Sequence, residues 1–250
     1  MKGDGVKAIK EVKVEDGTHG GIQFEESVNV GGGGGGVNSK VEATIDGNAK
    51  LASREQVGSE DVREHSGDDG SRDFLDGVPF LEPFSIIPAI AAVTDKLEFS
   101  TSVYKLAPRQ AVTTAKFVTT LGVMTNNRFH FGVGVSPWYE DFLATGERWE
   151  KRGKRMDEQI DILKGLMNGE YFSYKGEFYE IPELKLCPAP TKPLPILIGG
   201  HSKLALKRAA RVGDGWISAG LSLEETKTLI DQINEYRDEF GTLDHPKQIR

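Results

Sequence analysis

Small residues and a cationic segment meet where the apolar run "LPILI" ends, and this arrangement suits a phosphate group. Gly199 and Gly200 close that run. The basic helical segment opens at His201 and Ser202, with Lys203 beside them. Glycine N–H groups let an anion approach the backbone closely, and the positive end of a helix adds to the attraction. The spacing alone leaves a second interpretation open, because a Gly-Gly pair also makes a tight turn between a strand and a helix.

Three other predicted strands also end in residues that could line a site. Their ends read Ser102-Val103-Tyr104, Gly134-Val135-Ser136-Pro137-Trp138 and Ser218-Ala219-Gly220. Function sits at the carboxyl ends of parallel strands, so we expect these segments to gather around one site. The segment "GVGVS" departs from G-x-G-x-x-G, so the dinucleotide fingerprint is absent and a nicotinamide-binding Rossmann domain is disfavoured.

Other candidate residues favour structural roles. The single cysteine, Cys187, has no neighbouring histidine to activate it, and it offers no metal cluster, so we expect no metal site. His130 alternates with phenylalanines in a strand pattern, and Asp214 suits the turn before a strand. A charged cluster suits ion pairing rather than catalysis, and its members are Arg152, Arg155, Asp157 and Glu158.

Short apolar strands that alternate with amphipathic helices must position these residues. Strands are predicted over 96–104, 128–136, 194–200 and 215–220, and helices over 81–95, 108–122, 148–169, 202–213 and 222–241. A hairpin with aromatic alternation is predicted over 171–181. This order indicates a parallel sheet covered by helices, either as an open doubly wound sheet or as an arc of a (β/α)8 barrel.

Composition narrows the class of partner. The net charge of −7 argues against nucleic acid, and no apolar run approaches the length of a membrane span. The start of the chain has no apolar signal-peptide region, and cysteine is nearly absent, so we expect a cytoplasmic protein. A small molecule is the partner that remains.

The first 72 residues differ from the rest of the chain. They hold half of the 30 glycines, including the run 31–36, and they lack proline, tryptophan and tyrosine. The pieces "VKVED", "SVNV" and "KVEATID" alternate and would suit short edge strands. Their apolar content is too low to bury a core, so we expect a disordered or weakly β segment over 1–72 and a separate domain over 73–250.

Three blocks of that domain, in order, resemble the luciferase-like oxidoreductases. The blocks include "DKLEFSTSVYKLAPRQ", "ERWEKRGKRMDEQIDILKGLMNG" and "PILIGGHSKLALKRAARVGDGWISAG", and the likeness runs from about residue 73 to 240. The family includes bacterial luciferase, flavin-dependent monooxygenases and enzymes that use the deazaflavin coenzyme F-420. The resemblance implies an α/β fold of the (β/α)8 TIM-barrel type.

The resemblance also implies site residues. The phosphate end of FMN or of the deazaflavin would lie against Gly199, Gly200, His201, Ser202, Ala219 and Gly220. Ser102–Val103 falls where many members have a non-proline cis peptide behind the flavin ring, and Gly134 belongs to the same cofactor-binding set. Trp138 and Tyr139 match the substrate side. No catalytic acid or base is implied.

The likeness does not extend over a whole barrel. The first two strands and the last strand of the family are not recognisable, so we expect an incomplete barrel, as in a fragment of a longer enzyme. The resemblance implies an oxidoreductase that uses reduced FMN with O2, or a deazaflavin for hydride transfer, on a small organic substrate. The alternative is an inactive remnant that at most binds a phosphate-bearing cofactor. A homodimer is left open.

Overall fold

The computed structural model describes residues 81–245 and 247–249, together with the backbone of three strands before them. These strands are β1 (Val12–Val14), β2 (Gly21–Glu26) and β3 (Ser39–Thr44), and they form an antiparallel sheet in that order. β1 and β3 fall on the predicted pieces "VKVED" and "KVEATID", whereas β2 was not predicted. The piece "SVNV" and the disorder expected for the other N-terminal residues lie outside the described residues.

From residue 81 onward, the predicted helices and strands are present, and the structure adds a helix over Tyr139–Thr145 where a loop was expected. The helices are α1 (Pro83–Ala91), α2 (Ala111–Met124), α3 (Tyr139–Thr145), α4 (Arg152–Met167), α5 (Lys203–Arg211) and α6 (Leu223–Glu239). The strands are β4 (Phe99–Ser100), β5 (Tyr104–Lys105), β6 (Phe129–Gly134), β7 (Phe172–Lys175), β8 (Glu180–Leu184), β9 (Ile196–Gly199), β10 (Gly215–Ile217) and β11 (Gln248–Ile249).

The main sheet is parallel throughout its pairs. Its strands follow the order β11-β10-β9-β6-β4, and β5 also pairs with β6. Chain order and spatial order therefore run together, as they do along the arc of a (β/α)8 barrel. The predicted α/β fold is confirmed.

Helix faces that the sequence marks as apolar form the core. Ala111, Ala115 and Val118 of α2 are fully buried, and so is the stripe of α4 that includes Met156 and Ile160. These faces cover the sheet, whose central strand β6 is buried along its whole length. The 3.6-residue period of the sequence thus corresponds to real helix–sheet packing.

The prediction of one continuous strand over 96–104 is wrong. The structure has two short strands there, β4 and β5, separated by residues 101–103. Thr101 lies outside both strands, and its hydroxyl donates a hydrogen bond to the carbonyl of Gly132 at 2.7 Å. The chain bulges at this point, directly before the Ser102–Val103 peptide.

The β7–β8 hairpin is attached to the outside of α4. The Glu158 carboxylate accepts hydrogen bonds from the backbone N–H groups of Glu177, Phe178 and Tyr179 at 2.6–3.2 Å. The turn residue Gly176 passes so close to this carboxylate that a side chain there would collide with it.

Within the described part of the chain, no helix combines the length and apolarity that a membrane crossing requires.

Candidate functional site

The ends of β6 and β9 are shaped around one side chain, Val103. The Ser102–Val103 peptide is cis, as the family resemblance implied. A Cβ placed on Gly199 would lie 2.5 Å from Val103 Cγ1, and one placed on Gly134 would lie 2.7 Å from Val103 Cγ2. Glycine at both strand ends therefore makes room for the valine. The structure brings together these four predicted residues, which come from three separate stretches of the chain.

A second group forms where β9 and β10 end. The indole N–H of Trp216 donates to the carbonyl of Gly200 at 2.9 Å, and its ring meets the His201 ring edge-on. The backbone N–H of Ala219 donates to His201 Nε2 at 3.4 Å. These contacts tie the loop after β10 to the loop after β9. Gly200, His201, Ala219 and Gly220 all remain exposed, so the surface of the joined loops consists of small residues and an imidazole.

The two helices that start at these loops differ in their attraction for an anion. Helix α6 has its own carboxylate at its start, because Ser222 and Glu225 form a capping box, and Glu224 lies beside them. The hydrogen bonds from Ser222 lower the pKa of Glu225, so this end keeps a negative charge. Helix α5 is capped by the Ser202 hydroxyl, has no acid in its first turn and begins with Lys203. An anion is therefore favoured at α5 over α6.

A third group is a buried polar cluster that the sequence reasoning missed. Lys105 Nζ lies 2.8 Å from Asp141 Oδ2, and both side chains are at least nine-tenths buried. The Ser136 hydroxyl donates to the same carboxylate oxygen and accepts from the backbone N–H of Trp138 at 3.2 Å. The ammonium also lies 4.5 Å from the centre of the Trp138 ring. Lys105 could have been found from its place at a strand end, where it follows Tyr104 directly.

The two predicted substrate-side residues lie at the start of a helix rather than in a loop. Trp138 is the N-cap of α3, and Tyr139 is its first residue. The register of β5 against β6 sets Lys105 opposite Gly134, which places Trp138 near the glycine that faces Val103. Tyr139 is half exposed, and its ring packs edge-on against Trp149.

The charged residues predicted to form ion pairs make contacts between elements of the fold. Arg155 pairs with Glu147 at 2.9 Å and donates to the carbonyl of Ala107, so it fixes α4 to the chain after β5. Asp157 pairs with Arg208 at 2.7 Å, which joins α4 to α5.

Three further residues that were predicted to be structural also contact other parts of the fold. Arg152 stacks on the Trp149 ring. The Asp214 carboxylate accepts from the backbone N–H of Ile196 at the start of β9. His130 is buried in β6, with its Nε2 3.6 Å from a Glu98 carboxylate oxygen.

The exposed backbone at these loops suits a phosphate group. Among the described residues, His, Cys, Asp and Glu form no group of three or more that could ligate a metal. Gly220 has a positive φ of 68° and open space where a Cβ would stand, beside the exposed Gly200 and His201. Uncovered backbone next to a helix start favours phosphate binding, and Gly200 provides it before α5.

Sequence comparison places the chain in a family. A profile of the luciferase-like monooxygenases matches residues 61–247, and the chain belongs to that family. An uncharacterised protein of Mycobacterium tuberculosis is 47% identical over 173 residues, which cover 69% of this chain and 60% of the relative.

Two characterised relatives use different cofactors. The FMNH2-dependent dimethylsulfone monooxygenase of Pseudomonas fluorescens is 33% identical over 58% of this chain and 40% of its own length. The F420-dependent glucose-6-phosphate dehydrogenase of Amycolatopsis mediterranei is 28% identical over 60% of this chain and 46% of its own. The match thus spans 60% of the Mycobacterium protein and less than half of each of these two enzymes.

Solved structures agree on the fold. DmoA from Hyphomicrobium sulfonivorans superposes with a TM-score of 0.66 at 23% identity, covering 80% of this chain and 48% of DmoA. An F420-dependent secondary alcohol dehydrogenase superposes with a TM-score of 0.63 at 19% identity, covering 70% of this chain and 54% of the enzyme. These neighbours are TIM barrels, so the parallel sheet described here is part of a (β/α)8 barrel, as predicted.

Proposed function

We propose that this chain is the cofactor-binding part of an oxidoreductase that uses FMN or a deazaflavin. The phosphate end would lie against Gly199, Gly200, His201, Ser202, Ala219 and Gly220, and the ring would lie over Ser102–Val103 beside Gly134. When bound, the cofactor supplies the redox chemistry, either as reduced flavin with O2 or as a hydride-transferring deazaflavin. The organic substrate would approach from the side of Trp138 and Tyr139.

One observation carries this proposal: the fit of Val103 between Gly134 and Gly199. The three residues come from different strand ends, and the glycines leave space only for this valine. The arrangement gives the carboxyl edge of the sheet a rigid floor, directly before the exposed Gly200–His201 turn. A planar ring could rest on such a floor while its phosphate tail reaches the start of α5.

The chain's own residues would bind and orient the cofactor. In the first turn of α5 the backbone N–H of Ala205 donates to the Ser202 hydroxyl. The N–H groups of Lys203 and Leu204 have no acceptor within the helix, so they can face a phosphate. The Lys203 charge adds to the attraction without a fixed contact. The carbonyl oxygen of Gly200 already accepts the indole N–H of Trp216, which fixes the turn after β9.

A fluorescence titration tests the proposal. The purified chain is titrated with FMN and with coenzyme F-420, and NADPH serves as the control ligand. Saturable binding of one cofactor, lost in Gly200→Asp, is expected, because the added carboxylate repels the phosphate. Absence of binding from folded protein would contradict the proposal. Binding without turnover when reduced cofactor and O2 or an alcohol are supplied would favour the alternative of a cofactor-binding remnant.

Three further points belong to this proposal. A domain over 73–250 separate from the glycine-rich residues 1–72 and a cytoplasmic location stay predictions, and the question of a homodimer stays open. Limited proteolysis, cell fractionation and sedimentation velocity measure them in turn.

A further inference from the structure

A buried ion pair reaches the substrate side of the site but takes no part in the cofactor contacts described above. The pair joins β5 to α3 through the ammonium of Lys105 and the carboxylate of Asp141, 2.8 Å apart. Buried ion pairs are weak evidence for stability, because the cost of desolvating two charges offsets much of their attraction. A role beyond stability therefore has to be sought in what the pair touches.

The carboxylate of Asp141 holds the turn that leads into α3. Its Oδ2 atom accepts from the Ser136 hydroxyl, and Ser136 in turn accepts the backbone N–H of Trp138. Ser136 adopts a φ of +66°, a left-handed conformation that is uncommon outside glycine. The hydrogen bonds to Asp141 and Trp138 keep the turn in this unfavourable conformation. The direction in which the chain runs from the end of β6 to Trp138 therefore depends on the Asp141 carboxylate.

The ammonium of Lys105 holds the ring itself. Its Nζ lies 4.5 Å from the centre of the Trp138 ring, within the range of a cation–π contact. Lys105 stands opposite Gly134 in the β5–β6 ladder, so the ring is held beside the strand end that faces Val103. Asp141 thus restrains the backbone of Trp138 through Ser136, and Lys105 restrains its ring.

We propose that Lys105 and Asp141 are positioning residues that fix the Trp138 ring as a wall of the compartment next to the cofactor ring. What the wall faces rests on the proposed function, whereas the restraint on Trp138 does not. Neither residue contacts the reacting atoms in this proposal. Their effect on the reaction acts through the indole.

Fluorine NMR of the chain labelled with 5-fluorotryptophan measures the restraint directly. The chain has three tryptophans, so three resonances are expected, and Trp138→Phe identifies the relevant one. In Lys105→Met and in Asp141→Asn, the Trp138 resonance is expected to move towards its position in the urea-unfolded chain. Trp216, which contacts Gly200 and His201, serves as the internal reference and keeps its position.

Lys207→Met is a matched control. Lys207 also pairs with a carboxylate, that of Glu239 at 3.0 Å, and also lies over an aromatic ring, that of Tyr236 at 4.7 Å. This variant is expected to leave all three fluorine resonances in place. A shift of Trp138 in Lys207→Met as large as in Lys105→Met would overturn the proposal.

A double variant and the wild-type chain keep the test decisive if a single variant does not fold. Lys105→Met combined with Asp141→Asn removes both charges of the pair together, and the Trp138 resonance should still move. An unchanged Trp138 resonance in this folded variant overturns the proposal. In the wild-type chain, a nuclear Overhauser effect between Lys105 side-chain protons and the Trp138 ring is expected, and its absence contradicts the restraint.

Adding FMN or coenzyme F-420 separates this inference from the proposed function. Ring currents of a bound cofactor are expected to shift Trp138 in the wild type. In Lys105→Met the cofactor should still bind, but that shift should be lost. Binding that moves Trp216 and leaves Trp138 unmoved overturns the placement of the wall. Absence of binding counts against the proposed function alone, since the restraint on Trp138 is decided by the spectra without cofactor.

Discussion

Val103 and Gly199 are in such close contact that the glycine cannot gain a side chain without movement of the valine. A Cβ on Gly199 would stand 2.5 Å from Val103 Cγ1, well inside the separation that real carbon atoms keep. The contact joins the bulge between β4 and β5 to the end of β9. It therefore links the floor of the proposed ring site to the turn that leads to the proposed phosphate site.

The first prediction concerns this contact. Gly199→Ala is expected to lower the free energy of unfolding by about 1–3 kcal/mol, because overpacking a close-fitting site forces shifts in its neighbours. Combining it with Val103→Ala should recover part of that loss, since the truncated side chain leaves room for the new methyl group. Urea denaturation of the two single variants and the double variant measures the coupling. Additive losses would mean that the two residues do not press on each other.

The second prediction concerns the β7–β8 hairpin. Glu158→Ala removes the acceptor of three backbone N–H groups, and a loss of about 1–3 kcal/mol in unfolding free energy is expected for such charge-assisted hydrogen bonds. Hydrogen exchange at residues 177–179 should accelerate in the same variant, while exchange in β6 should not.

Glu180→Ala provides the control for the hairpin. Glu180 lies on the same hairpin and pairs with Lys175 at 3.3 Å, but both side chains are largely exposed. Its removal is expected to change the unfolding free energy by less than about 0.5 kcal/mol. Equal effects of the two substitutions would show that Glu158 has no special role in attaching the hairpin to α4.

The third prediction is a pH dependence at Tyr179. Burial of the phenol, followed by the nearby negative charge of Glu147, raises the pKa of Tyr179 to about 12. The unfolded chain has a tyrosine pKa of about 10, so the fold favours the neutral phenol. The stability from this preference is fully present below about pH 10 and is lost as the pH rises towards 12.

Ultraviolet titration of tyrosinate checks this prediction. Burial also raises the pKa of Tyr174, so Tyr179→Phe should reduce the late ionisation of the wild type by one phenol. The variant should also lose less stability than the wild type between neutral and strongly alkaline pH. A wild-type titration without a delayed phenol would contradict the assignment.

Patterns that repeat along the chain were predictable from the sequence. The period of 3.6 placed Ala111, Ala115 and Val118 on a buried face, and Ser222 with Glu225 marked the start of α6. These features depend on neighbours within a turn or two, and such neighbours are visible in a sequence.

Features that depend on residues far apart in the chain were not predictable in the same way. Lys105 and Asp141 are separated by a helix and a strand, and each resembles an ordinary surface charge in its local context. Their pairing depends on the register of β5 against β6 and on the turn that leads from β6 into α3. Similarly, a valine–glycine contact such as Val103–Gly199 depends on how two strand ends meet, which local patterns do not encode.

The central claim is that a phosphate group binds at the joined loops after β9 and β10. Two glycines offer a matched test: Gly220 lies in the proposed site, and Gly241 follows the end of α6. Both have a left-handed backbone, with φ of 68° and 64°, and both have open space around an added Cβ. Gly→Asp therefore introduces the same charge and the same backbone strain at each position.

The measurement is a titration of both variants with the cofactor that the wild type binds, FMN or F-420. If the cofactor is FMN, riboflavin is titrated in parallel because it lacks the phosphate. Gly220→Asp is expected to weaken binding by about tenfold or more, which corresponds to about 1.4 kcal/mol, while Gly241→Asp binds as the wild type does. In the FMN case, riboflavin should bind both variants alike. Equal cofactor affinities of the two variants would contradict a phosphate site at these loops.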